Sequence, residues 1–116
     1  MRLIEIYQCL CDETRLRILH LLTQGPLCVC HFQDILDVPQ TRVSQHLSYL
    51  RKRGLVECER RGTWMIYSLP ARPSRELEKH LQCLQDCVLS EKLFRADLKK
   101  LRKANPAGTL PAGCAC

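Results

Sequence analysis

The chain has no run approaching the roughly 18 consecutive apolar residues of a membrane span, so no transmembrane segment is expected. Its first ten residues, MRLIEIYQCL, carry Arg2 and Glu5 among the apolar ones, with neither a long apolar core nor a small-residue cleavage site. A secretory signal peptide is therefore not expected, and a cytoplasmic location is. No Cys-x-x-Cys motif appears and no βαβ pattern accompanies the thiols. No glycine loop is laid out to cradle phosphate, and no nucleophile–base pattern stands above chance. These gaps argue against an enzyme, including a small thiol enzyme such as a metalloid reductase or disulfide exchanger. The nine cysteines are an odd number, which fits poorly with a complete intramolecular disulfide framework. In a reducing compartment, clustered thiols read instead as metal ligands or redox centres.

What is present fits one domain of 116 residues with a core of moderate size. The net charge of +6, from 18 Lys+Arg against 12 Asp+Glu, suits a polyanionic partner. The pattern predicts a mainly α fold with a small β-wing: a winged helix-turn-helix of about five helices and a two-stranded antiparallel hairpin. Helix one is expected over Leu3 to Leu10. Asp12 caps helix two, Glu13 to Thr23, and Gly25-Pro26 ends it. A short third helix is expected from Val29 to Leu36, and a fourth from Gln40 to Arg53, with Pro39 near its start and Gly54 as its C-terminal cap. Leu55, Val56, Cys58 and Glu59 suit a strand, Trp64 to Leu69 its return, and Arg60-Arg61-Gly62-Thr63 the turn. A single helix is expected from Ser74 to Lys103, about 45 Å long, with Leu77, Leu81, Leu84 and Val88 spaced like a coiled-coil seam. Residues 1–104 form the DNA-binding and dimerisation domain in this reading, and 105–116, rich in Pro, Gly and Ala, a flexible tail carrying cysteines.

Helices three and four have helix-turn-helix dimensions. In helix four, Val43, Leu47 and Leu50 face inward, leaving a polar, basic surface. Gln40, Thr41, Ser44 and Gln45 are candidate base readers. Arg42, Arg51 and Lys52 suit phosphates, His46 lies in the same stripe, and Arg60 and Arg61 at the wing suit phosphate or the minor groove. The segments DETRLRILHLL, QTRVSQHLSYLRKRGLV and RRGTWMIYSL together resemble the ArsR/SmtB family of winged-helix metal-responsive repressors, over about Leu3 to Leu89. The resemblance implies a homodimer formed through the first and last helices that binds operator DNA when metal-free and leaves when its ion binds. Two recognition helices about 34 Å apart imply double-stranded operator DNA with an inverted repeat.

Cys9 and Cys11, Cys28 and Cys30, and Cys114 and Cys116 form Cys-x-Cys pairs; Cys58 stands alone, and Cys83 and Cys87 are four apart. The stretch LCVCHFQDIL resembles the arsenic-sensing motif LCVCDLC of the ArsR branch. Cys28 and Cys30 match its first two ligands, His31 replaces its Asp, and Gln33 stands where its third cysteine would be. The implied inducer is trivalent arsenic or antimony, As(III) or Sb(III), or a methylated As(III) that needs only two thiolates. Thiolates select soft ions, and a helix N-terminus favours the thiolate form. Two helical residues at i and i+2 diverge by about 200°, so one ion gripping both sulfurs is expected to unwind the first turn of helix three. Coupling of about 1–3 kcal/mol would weaken DNA binding some 5- to 150-fold.

The other thiols stay open at this level. Cys9 and Cys11 suit core packing or ligation, and Cys58 suits packing. Cys83 and Cys87 suit a second soft-ion site or interface filling. Cys114 and Cys116 can supply a missing third thiolate or an accessory site. Glu76, Glu78, His80, Asp86 and Glu91 do not show the paired pattern of the family's zinc and cobalt sites. The competing readings are a thiol redox-sensing repressor, a small thiol enzyme and a metal-buffering protein.

Overall fold

Two helices open the chain, α1 (Arg2–Leu10) and α2 (Glu13–Leu22), in a computed structural model that describes the backbone of residues 2–87 and 91–104. Asp12 separates them. Its backbone is extended and its carboxylate accepts the Arg15 N–H at 3.0 Å, satisfying an amide that the first turn of α2 leaves unpaired. The apolar face of α2, Ile18, Leu19, Leu21 and Leu22, is buried together with Ile6 and Cys9 of α1.

After Gly25 the chain makes strand β1 (Leu27–Cys28), helix α3 (Val29–Leu36) and helix α4 (Gln40–Lys52). Asp37 ends α3 in the left-handed region, φ 54°, and Gly54 follows α4 at φ 78°. Val43, Leu47 and Leu50 have no exposed surface, as their spacing predicts. Strands β2 (Glu57–Arg61) and β3 (Trp64–Ser68) pair antiparallel, with Arg61 opposite Trp64 and Gly62 in the turn at φ 66°. Arg60 and Arg61 therefore belong to β2 rather than to the turn, and Leu55 and Val56 are buried ahead of the strand.

The sheet has three strands rather than the two expected, in the order β1-β3-β2. β1 pairs antiparallel with β3, Leu27 opposite Tyr67 and Cys28 opposite Ile66. A two-residue strand carries no readable alternation; it exists because a distant segment supplies its ladder.

The single C-terminal helix is also corrected. α5 (Arg75–Cys87) and α6 (Lys92–Ala104) are separate, so the described residues contain six helices. Glu91 is not helical, and Val88 of the expected seam lies outside the described residues. The longest extent of the structure is 38 Å, so one straight helix of about 45 Å would overrun it. Dividing it lets α5 pack on α1 and α2 while α6 packs on α2 and α3. Phe94, Asp97 and Leu101 form the buried face of α6. Arg17 of α2 donates twice to the fully buried Asp97, at 2.9 Å each. Lys100 Nζ donates to the Ile35 carbonyl at 3.4 Å, in the last turn of α3. α6 thus ties α2 to the first helix of the helix-turn-helix.

Candidate metal centre and nucleic-acid interface

Cys28 is the last residue of β1 and the N-cap of α3, with φ −97° and ψ 168°. Cys30 lies in the first turn of α3. Their Sγ atoms are 2.9 Å apart, Cys28 fully buried and Cys30 half-buried. The divergence expected of an i, i+2 pair applies when both residues are helical. Cys28 has extended backbone, so the sulfurs meet without any unwinding of α3, and that expectation is corrected.

His31 completes the cluster. Its Nδ1 lies 3.5 Å from Cys28 Sγ and accepts the Cys28 N–H at 3.4 Å, the reach-back of a residue at N3 to its N-cap. The ligand atoms of Cys28, Cys30 and His31 all lie within 4.8 Å of one another, and no other group of three or more Cys, His, Asp or Glu gathers in this way among the described residues. Burial pushes the His31 pKa down, opposed by the Asp34 carboxylate, which favours the neutral imidazole needed of a ligand. Sequence reasoning treated His31 only as a replacement. Its position three residues after an N-cap was the signal that it turns back toward Cys28.

The remaining thiols do not join this group. Cys9 sits in the core, where burial raises its pKa. Cys11 is exposed and its Sγ donates to the Gln8 carbonyl at 3.1 Å. Cys58 is half-buried opposite Tyr67 across the wing, and Cys83 is exposed. The side chain of Cys87, and Cys114 and Cys116 entirely, lie outside the described residues. Gln33 is half-buried and brings an amide where the motif has a thiol.

On α4, Gln40, Thr41, Arg42, Ser44, Gln45 and Arg51 are exposed, as are Arg60 and Arg61 on the wing. His46 differs. It is half-buried, and its pKa is lowered mainly by burial, with Asp12 opposing and Arg15 and Arg42 adding to the shift. It therefore belongs partly to the packing between α4 and the start of α2. Arg60 Nε donates to the Gly62 carbonyl at 3.0 Å, and Arg61 pairs with Glu59 at 3.4 Å in solvent, an interaction of little strength.

Tyr49, which sequence reasoning did not single out, anchors the helix. Two guanidinium groups lie over its ring, Arg53 at 3.5 Å and Arg15 at 4.2 Å from the centroid. Arg15 also donates to the carbonyls of Cys9 and Gln8, so α4 is held against the end of α1. An open groove of about 550 Å³ runs beside this stack, lined by Ser44, Gln45, Ser48, Tyr49, Lys52 and Arg53.

Residues 12–57 match the family model described as "Bacterial regulatory protein, arsR family". The arsenical resistance operon repressor of Escherichia coli K12 is 34% identical over 110 residues, covering 90% of this chain and 89% of that protein. Among solved structures, HlyU from Vibrio cholerae N16961 superposes with a TM-score of 0.67 at 28% identity, over 73% of this chain and 89% of that one. The homodimeric winged helix-turn-helix domain of Mb0332 from Mycobacterium bovis gives a TM-score of 0.63 at 25% identity, over 78% of this chain and 82% of that one. A buried α2–α4 scaffold, a polar recognition helix, an antiparallel wing and near full-length similarity to a repressor together place this chain in the arsR family of winged-helix transcriptional regulators.

Proposed function

We propose that the chain is a metalloid-responsive repressor that binds inverted-repeat operator DNA as a homodimer and is released when trivalent arsenic or antimony is held by Cys28 and Cys30. The observation that carries this reading is the 2.9 Å approach of the two sulfurs at the junction of β1 and α3. Cys28 belongs to the wing sheet through its pairing with Ile66, and Cys30 belongs to the first helix of the helix-turn-helix. An ion bridging them acts on both DNA-reading elements through one backbone junction.

The donor chemistry fits an ion that forms two bonds to sulfur. It fits less well one that demands three thiolates, because Gln33 offers none. When bound, the metalloid supplies covalent, thiophilic cross-linking of the two sulfurs, which lose their protons on ligation. Gln40, Thr41, Ser44 and Gln45 read base edges in this proposal, while Arg42, Arg51, Arg60 and Arg61 hold phosphates and His46 steadies α4 against Asp12. Pairing through α1 is supported by its exposed apolar residues Leu3, Ile4 and Tyr7 and by the homodimeric relative. The reading places the protein in the cytoplasm.

The test is anisotropy of a labelled operator fragment titrated with arsenite. Wild type releases the DNA. Cys28→Ser and Cys30→Ser bind it with near wild-type affinity and no longer respond. Normal release by both variants refutes the assignment. The close sulfurs also favour a second reading, oxidation of the pair to a disulfide, in which a peroxide accepts two electrons and two protons and leaves as water. Release by peroxide but not by arsenite under reducing conditions selects that one.

A further inference from the structure

The positive charge of this chain has an address in the fold. Helix α6 holds six of the 18 Lys+Arg and one of the 12 Asp+Glu, and so carries +5 of the net +6. The remaining residues, recognition helix and wing included, are close to neutral taken together. We propose that the exposed face of α6, formed by Lys92, Arg95, Lys99, Arg102 and Lys103, is a second DNA-contacting surface that binds phosphates of the duplex flanking the segment read by α4. The inference rests on the α4 reading and extends it to a separate element.

Helix geometry builds the surface. Phe94, Asp97 and Leu101 form the buried side of α6. At 3.6 residues per turn, the five cations fall within an arc of about 100° roughly opposite them. All five are exposed, and none makes an ion pair among the described residues. The one acid of the helix, Asp97, is turned inward and held by Arg17. Lys100 stands apart, donating to the Ile35 carbonyl. What faces outward is a ridge of positive charge.

Charge selects the occupant. A second copy would set like charges face to face across a two-fold axis, which is unfavourable. A polyanion is the complementary partner. From Lys92 to Lys103 the helix rises about 16 Å, a length that carries about five phosphates along one DNA strand at about 3.4 Å each. The density of cations on the ridge therefore matches that of phosphates on a strand. Position agrees as well. α6 packs on α2 and α3, and the first helix of a helix-turn-helix, here α3, crosses the DNA backbone when the second enters the groove. α6 thus stands beside the helix at the crossing. Contacts of this kind add affinity and salt dependence without adding sequence preference.

The experiment uses the full chain, reduced and free of metal and metalloid, so its outcome does not depend on what Cys28 and Cys30 hold. A fragment that wild type selects from random duplexes is trimmed to the shortest length still bound. It is compared with the same fragment extended by about ten base pairs, one helical turn, on each side. Anisotropy gives the affinity across a salt series. The neutral variant combines Lys92→Gln, Arg95→Gln, Lys99→Gln, Arg102→Gln and Lys103→Gln. The charge-keeping variant combines Lys92→Arg, Arg95→Lys, Lys99→Arg, Arg102→Lys and Lys103→Arg, and circular dichroism checks the folding of both. Extension should raise wild-type affinity at least about tenfold at low salt and steepen the salt slope by about 0.9 for each phosphate engaged. The neutral variant should gain little from extension and lose far less on the short fragment than on the long one, while the charge-keeping variant behaves as wild type. Equal gains from extension in wild type and the neutral variant overturn the inference; retention of wild type alone on immobilised poly-glutamate then assigns the ridge to an acidic protein surface. Weakening of the neutral variant by the same factor on both fragments also overturns it, leaving a diffuse field in place of flanking contacts. If wild type selects no fragment, the α4 reading fails and this inference with it.

Discussion

Replacing Asp97 by Ala should detach α6 from α2 and reveal how strongly the C-terminal helix holds the helix-turn-helix. Asp97 has no exposed surface and accepts two hydrogen bonds of 2.9 Å from Arg17, whose side chain is 11% exposed. Donation to Asp97 raises the Arg17 pKa against the effect of burial; without that partner the guanidinium still keeps its charge, because arginine is not deprotonated in proteins. Breaking a buried pair from one side costs about 3–5 kcal/mol, because a charge is left in a site built for two. The narrow opening of Arg17 to solvent puts the expected loss near the lower figure, about 3 kcal/mol. In a chain of this size that lowers Tm by roughly 10 °C or more. Urea unfolding followed by circular dichroism measures it. The double variant Arg17→Met with Asp97→Leu should recover part of the loss, since it removes both charges together. Lys100 also releases its grip on the Ile35 carbonyl if α6 lifts, so the Cys30 thiol should react faster with an alkylating reagent. A loss below about 1 kcal/mol, the range of an exposed ion pair, with unchanged Cys30 reactivity would refute the tie between α6 and α3.

Stability should fall on mild acidification. Burial lowers the His20 pKa, with Asp97 opposing, and its two ring nitrogens have no hydrogen-bond partner among the described residues. The unfolded imidazole takes up its proton first, so this contribution is complete above about pH 6.5 and is lost as pH falls from there toward the lower folded value. His20→Leu should flatten the dependence of urea midpoint on pH between about 7 and 5; an unaltered slope would remove His20 from the account. At the DNA interface, Gln45→Ala should cost about 1–3 kcal/mol of operator affinity and relax preference at one base pair, whereas Arg51→Ala should weaken all sequences alike and reduce the salt slope by about 1. Equal effects of Gln45→Ala on operator and random DNA would assign that residue to the backbone instead.

Much of the fold was legible in the chain because it is written in local, periodic terms. Val43, Leu47 and Leu50 recur on one helical face, Asp12 is an N-cap in form and in fact, and Gly54 and Gly62 stand where positive φ is needed. The order of α3, α4 and the wing followed from those local signals, and so did the resemblance that pointed to a regulator. The Cys28 and Cys30 spacing identified a thiol pair but assigned it the wrong geometry.

What the residues alone determined, then, was the first four helices and the wing hairpin, which faces of them are apolar, and where two thiols fall close in the chain. Tertiary structure decided the rest, because the deciding contacts join distant residues. Pairing of Cys28 with Ile66 holds Cys28 in extended backbone just ahead of α3, with its sulfur beside that of Cys30 and its N–H turned to His31. Arg17 and Asp97, 80 positions apart, hold α6 against the body where a continuous helix would have left it. Local periodicity carries no record of such partners, since each becomes favourable only after both segments have been placed.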